Sequence, residues 1–206
     1  MKKLTLLIAA FVFAFNVNAQ TKEDITNGNT ELTWLGLDFS QVHFIGAATQ
    51  WKDAGEISDD EMRDKYIVGW NQLFVKEPKK FDVAKATHRS EVKFNLDVTE
   101  KANNTLRKSY FYDDGNLYHT LDETKVKDLV KKYNFQGNKG LGLLFFVEGM
   151  SKGKEEACAW ATFVNMEKKE VLWTQRVVGK AGMSIGFRNY WANPFSNMLK
   201  DLDKKL

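Results

Sequence analysis

Apolar and polar residues alternate over Glu91–Thr99, where Val92, Phe94, Leu96 and Val98 point one way and Glu91, Lys93, Asn95 and Asp97 the other. That two-residue period predicts a half-buried strand. Thr33–Ala47 alternates at Leu35, Leu37 and Phe39, breaks at Ser40-Gln41 and resumes at Val42, Phe44 and Ile45, which predicts one bulged strand rather than two. Phe81–Thr87 reads as a shorter strand, and Ser109–Tyr112 as either an edge strand or an aromatic loop. Gly140–Met150 (GLGLLFFVEGM) has no polar face, which suits a central strand covered on both sides. Glu155–Met166 and Glu170–Val178 flank the charged tip Glu167-Lys168-Lys169 and predict a hairpin.

Other segments carry helical spacing. Ser58-Asp59-Asp60-Glu61 forms a capping box, with Ile57 and Met62 as its apolar staple. The stripe Met62, Tyr66, Trp70, Leu73 and Phe74 follows, and Pro78 enforces the stop. A second helix is expected over Asp122–Tyr133, started by Thr120-x-x-Glu123 and faced by Val126, Leu129, Val130 and Tyr133. A last helix is expected over Phe187–Leu206, where Pro194 either kinks it or starts its main part with Asn193 as cap. No internal repeat is visible. The order predicts a single α/β or α+β domain over residues 32–206, a mixed sheet of about 5 strands with about 3 helices packed mainly on one face.

The N-terminus has a different pattern. Lys2 and Lys3 precede Leu4–Phe15, apolar apart from Thr5, and Asn16–Gln20 turns polar with small residues at Val17 and Ala19. These are the three parts of a secretory signal peptide, too short in its apolar run to span a bilayer. Residues 1–19 are expected to be removed after Ala19, leaving Gln20 first and placing the protein in the periplasm or outside the cell. No cysteine lies near that point, so no lipid anchor and no transmembrane span are expected in the mature chain. Residues 20–31 are polar, with an Asn27-Gly28 pair, and read as a flexible lead-in.

Charge and cysteine count narrow the classes further. The formal net charge of +3 includes Lys2 and Lys3, so the mature chain is close to neutral. Nucleic acid is thereby excluded as a partner, because phosphate binding needs a basic excess on one face. Cys158 is the only cysteine, which rules out an intramolecular disulfide. Set among Ala157, Ala159 and Trp160, it reads as a small buried residue.

Catalytic signals are sparse. His43, His88 and His119 fall in no metal-ligand spacing, so a metal site would have to be assembled from distant strands. No catalytic residue, metal or cofactor is expected. Ser184 in AGMSIG lacks the G-x-S-x-G frame, and Gly179, Gly182 and Gly186 with Lys180 and Arg188 match no phosphate loop. Glu148 is the acid to examine first, because it ends a buried strand; a structural salt bridge is its expected role. His43, on the first strand, reads as a core or rim imidazole. Trp51, Tyr110, Phe111, Tyr112, Tyr118, Tyr190 and Trp191 are not all placed by strand or helix faces, and some are candidates for an exposed docking or sugar-stacking surface.

The C-terminal third carries a resemblance. Phe146-Val147-Glu148-Gly149 ends a buried strand, followed by ATFVNMEKKEVLWTQRVVGKAG and a helix. From about 140 to 206 this resembles the second half of the small α/β domain of bacterial envelope proteins: the curli-export lipoprotein, lipoprotein activators of peptidoglycan synthases, and the N-terminal domain of the Tol translocation protein. Glu170-Val171-Leu172-Trp173 matches their hairpin, while Asn165 stands where they carry an aspartate. The leader ending NVNAQ and the whole chain are also similar to secreted proteins of Bacteroidetes-type bacteria. The resemblance implies a non-enzymatic envelope module acting through protein contacts, with an envelope protein or a second copy as partner. Its candidate contact surface is Lys180, Gly182, Ser184, Arg188, Tyr190 and Trp191. The alternative is a small-ligand or glycan-binding protein, or a weak hydrolase, built around Glu148 and His43.

Overall fold

The computed structural model of the protein describes residues 21–46, 56–106 and 109–206. The expected signal peptide and Trp51 lie outside them. Within the described residues seven strands form one mixed sheet: β1 (Leu32–Asp38), β2 (His43–Ile45), β3 (Lys93–Phe94), β4 (Phe111–Tyr112), β5 (Leu141–Ser151), β6 (Glu156–Asn165) and β7 (Glu170–Lys180). Six helices accompany it among the described residues: α1 (Glu23–Thr26), α2 (residues 59–76), α3 (Val83–Ala86), α4 (Asp97–Asn104), α5 (Glu123–Lys132) and α6 (Phe187–Asp203). The α/β class matches the expectation.

β5 is the axis. Every residue of LGLLFFVEGMS is buried, as a run without a polar face requires. On one side it pairs antiparallel with β6, which pairs with β7. On the other it pairs in parallel with β1 over Leu32↔Leu141 to Asp38↔Phe146, then with β2 over His43↔Gly149 to Ile45↔Ser151. The expected single strand over Thr33–Ala47 is therefore two, laid end to end along β5. Asp38 accepts the Ser40 N–H at 2.7 Å and turns the chain out of the sheet between them. A bulge is nonetheless present, inside β1 between Trp34 and Gly36, where the register against β5 shifts.

Side chains of alternating parity on β5 face two separate cores. Leu143, Phe145 and Val147 join Trp34, Trp70, Phe74, Trp191 and Phe195 on the face covered by α2 and α6. Leu144 and Phe146 join Leu35, Val126, Val130 and Val164 beneath α5 on the other face. Most of the helical mass does sit on one face, but the second face is covered as well. The Ser58 hydroxyl accepts the Glu61 N–H at 3.1 Å, so the expected cap starts α2, and its stripe Met62, Tyr66, Trp70, Leu73 and Phe74 is buried. The Glu61 carboxylate, however, takes the Lys65 ammonium at 2.7 Å.

Other expectations are corrected. Glu91–Thr99 holds only the short β3, and from Asp97 the chain is helical. Tertiary bonds override the alternation. Thr99 Oγ1 donates to the Leu35 carbonyl at 2.6 Å, and Asn103 bridges the Leu37 carbonyl and the Phe39 N–H at 2.9 and 2.8 Å. With Asn71 from α2 on Leu37, they satisfy the β1 edge that β3 is too short to cover. Phe81–Thr87 holds the short helix α3 in place of a strand, because Asp82 caps it through the Lys85 N–H at 2.9 Å. Asp122, not Thr120, caps α5. Within the stretch expected as a lead-in, Glu23–Thr26 form α1, Ile25 is buried and Arg89 donates to the Asp24, Ile25 and Thr30 carbonyls. α6 begins at Phe187 after Gly186 and runs through Pro194, so Asn193 caps nothing. Where it crosses β7, a Cβ on Gly179 would lie 2.0 Å from the Pro194 carbonyl oxygen.

Candidate functional site

Glu148 owes its position to a bulge. Val147 pairs with Ala159 and Gly149 with Cys158, so no β6 residue stands opposite Glu148, and the extra residue re-aims its side chain. Gly149 adds a second condition. A Cβ there would meet the Tyr118 carbonyl oxygen at 2.4 Å, so its absence lets the 3-10 turn Gly115–Tyr118 lie against the strand. His119 follows that turn and lands beside Glu148 and the Cys158 thiol.

The carboxylate is fully buried, and both of its oxygens accept hydrogen bonds. Oε1 accepts the Leu121 N–H at 2.6 Å and Arg176 Nη2 at 3.1 Å, and Oε2 accepts Arg176 Nε at 2.8 Å. Arg176 also donates to the Leu121 carbonyl at 2.9 Å and lies 4.9 Å from the centre of the Trp160 ring. Burial works against the guanidinium charge, but the Glu148 carboxylate more than offsets it and holds the Arg176 pKa above its ordinary value. The salt bridge expected of Glu148 is present.

Three donor atoms converge above that pair. Cys158 Sγ lies 3.6 Å from His119 Nδ1 and 3.7 Å from Glu148 Oε2, and His119 Nδ1 lies 3.6 Å from Glu148 Oε2. Burial first, then the Glu148 charge, pushes the Cys158 thiol up to about 12, so at neutral pH it is a thiol and a poor nucleophile. A catalytic relay uses the two imidazole nitrogens on different partners. Here one nitrogen faces both the thiol and the carboxylate, which does not make a relay.

The loop after β7 is a second place of interest. Met183 and Ile185 are 102% and 91% exposed, the extremes among the large apolar side chains described. Gly182 and Ser184 alternate with them and are also exposed. The loop is anchored at its base by the Ala181 N–H on the Glu155 carbonyl at 2.8 Å and by Asn197 on the Lys180 carbonyl at 2.8 Å. Cations frame it. Lys180 pairs with Glu156 at 2.5 Å, Arg188 is exposed at the start of α6, and Lys152 sits 4.1 Å from the centre of the Tyr190 ring.

The expected surface is thus split. Lys180, Gly182, Ser184 and Arg188 are exposed together, whereas Tyr190 and Trp191 are 6% and 0% exposed and form the foundation beneath. Tyr110 and Tyr118 are buried as well, whereas Phe111 and Tyr112 on β4 are half-buried. Of the alternative pair, Glu148 belongs to the convergent cluster, while His43 stands on β2 with its ring edge-on to Tyr112 at 4.8 Å. Sequence reasoning missed His119, Cys158 and Arg176 as a group, because β6, β7 and a loop bring them together without local spacing. It also missed Met183 and Ile185, whose signal was readable: two apolar residues in a glycine-spaced loop with no strand or helix face to claim them. No protein-family model, no curated protein and no solved structure matches the chain.

Proposed function

We propose that the chain is a non-enzymatic module of the cell envelope or the extracellular space that acts through protein contacts made by the loop between β7 and α6. The observation that carries this reading is the exposure of Met183 and Ile185 on that loop. Burying two such side chains in a partner is worth about 1.5–3 kcal/mol each, and Lys180 and Arg188 beside them favour a partner groove with an acidic rim. The ligand-binding alternative draws less support. One surface groove, of about 490 Å³, is lined by Lys127, Lys131, Lys168, Lys169, Glu170 and Val171, and neither Glu148 nor His43 borders it.

Site-specific photo-crosslinking tests the proposal. A crosslinker placed at position 183 or 185 and activated in intact cells is expected to give a discrete adduct with one envelope protein. The same group at Val75, which is also exposed but lies on α2, is expected to give none. Adducts of equal yield from all three positions, or none from any, would overturn it.

A further inference from the structure

We propose that His119, Glu148 and Cys158 form a binding site for a single borderline-soft divalent cation of the zinc class. Among the described residues these three bring one ligand atom each to within 4.8 Å of one another. The edges of the triangle are nearly equal, at 3.6, 3.6 and 3.7 Å. Tetrahedral zinc with ordinary bonds to nitrogen, oxygen and sulfur places such donors about 3.4–3.6 Å apart. The triangle therefore has the size of one face of a zinc tetrahedron. Direct pairing fits it less well, because an imidazolium on a carboxylate closes to about 2.7–2.9 Å. The use of a single imidazole nitrogen toward both other donors, which rules out a relay, is what a common centre requires.

The surroundings have the form of an outer coordination shell. Metal-bound carboxylates are themselves hydrogen-bonded; here the Leu121 N–H and Arg176 fix Oε1, and Arg176 Nε takes only part of the capacity of Oε2. A carboxylate oxygen has two lone pairs, which leaves Oε2 one for a cation. The His119 side chain is 47% exposed and the Glu148 side chain 0%, so the triangle has one solvent side, through which the ion arrives and a water completes the fourth position. Binding is balanced by one proton. The Cys158 S–H bond breaks, the sulfur–metal bond forms with the sulfur electron pair, and the proton leaves to buffer. Thiolate and imidazole together select zinc over magnesium or calcium, which prefer all-oxygen sites. The proposal does not rest on the contact loop, which lies on a different part of the surface.

Full-length mature protein, stripped with a chelator, provides the test. Titration with cobalt(II) is expected to give a thiolate-to-cobalt charge-transfer band and tetrahedral visible bands saturating at one equivalent. Zinc is expected to displace the cobalt, release one proton per ion and raise the thermal unfolding midpoint. H119A is expected to weaken zinc binding by about 100-fold and to abolish the zinc-dependent rise in midpoint, and C158S to abolish the charge-transfer band. H88A, at an exposed histidine paired with Asp203, is expected to behave as wild type. Because His119 is half-exposed, H119A stays informative even where C158S fails to fold. Absence of the charge-transfer band in the wild-type protein, or zinc affinity in H119A equal to wild type, would overturn the site.

Discussion

Gly179 and Gly149 each mark a spot where foreign backbone lies against a strand, and in both the neighbour is a main-chain carbonyl that no rotamer change can move. A Cβ at Gly179 would sit 2.0 Å from the Pro194 oxygen, so G179A has to push α6 away from β7. We expect a loss of about 1–3 kcal/mol, read as a lower urea midpoint. Tyr133 carries a prediction of a different kind. Its hydroxyl donates to the fully buried Asp38 at 2.6 Å. Burial, and then the Asp38 charge, raise its pKa well above the ordinary 10.0. The unfolded chain releases this proton first, so the contribution of Tyr133 is complete below pH 10 and drains away as pH rises past it. Y133F is expected to cost about 1–3 kcal/mol at neutral pH by leaving Asp38 short of a donor. It should also give a shallower fall of stability above pH 10 in denaturation series. At this scale the sequence exposed Glu148 as a buried acid, because its run has no polar face. It could not expose His119 or Cys158, since they stand 39 residues apart and meet only through a bulge and a missing Cβ.

Elements were legible where the period was settled by local chemistry and illegible where a distant backbone supplied the bonds. Ser58 starts α2 and the apolar run of β5 is buried throughout, both as the residues dictate. The alternation over Glu91–Thr99 misled because β1 runs past the end of β3 with unsatisfied groups, and polar side chains on a helix reach them where a further strand would otherwise pair. Asn103, 1% exposed, is one of these. N103A removes both the acceptor for Phe39 and a donor to Leu37. It is expected to destabilise by about 1–3 kcal/mol, with amide exchange at Phe39 accelerating more than at β6 in hydrogen-exchange measurements. Of the two expectations for Pro194, an interior position holds for a related reason: α6 is held by its buried face from Phe187 to Leu202, and packing of that extent tolerates one absent main-chain bond.

At the scale of the molecule, the mixed sheet with a dominant helical layer on one face follows from the order of periods along the chain, while the second, smaller core beneath α5 does not. A half-apolar helix such as α5 covers whichever face is vacant, and no residue in it records the choice. The end-to-end placement of β1 and β2 along β5 has a consequence in time. Their principal partner is not synthesised until residues 141–151, so through the first two-thirds of elongation the N-terminal strands have only the two-residue β3 and β4 to pair with. The β5–β6–β7 meander closes through short connections, and joining β1 to it has to await that late template. A chain ordered this way stays pliable for most of its passage from the ribosome, and its sheet is completed last at the strands that were made first.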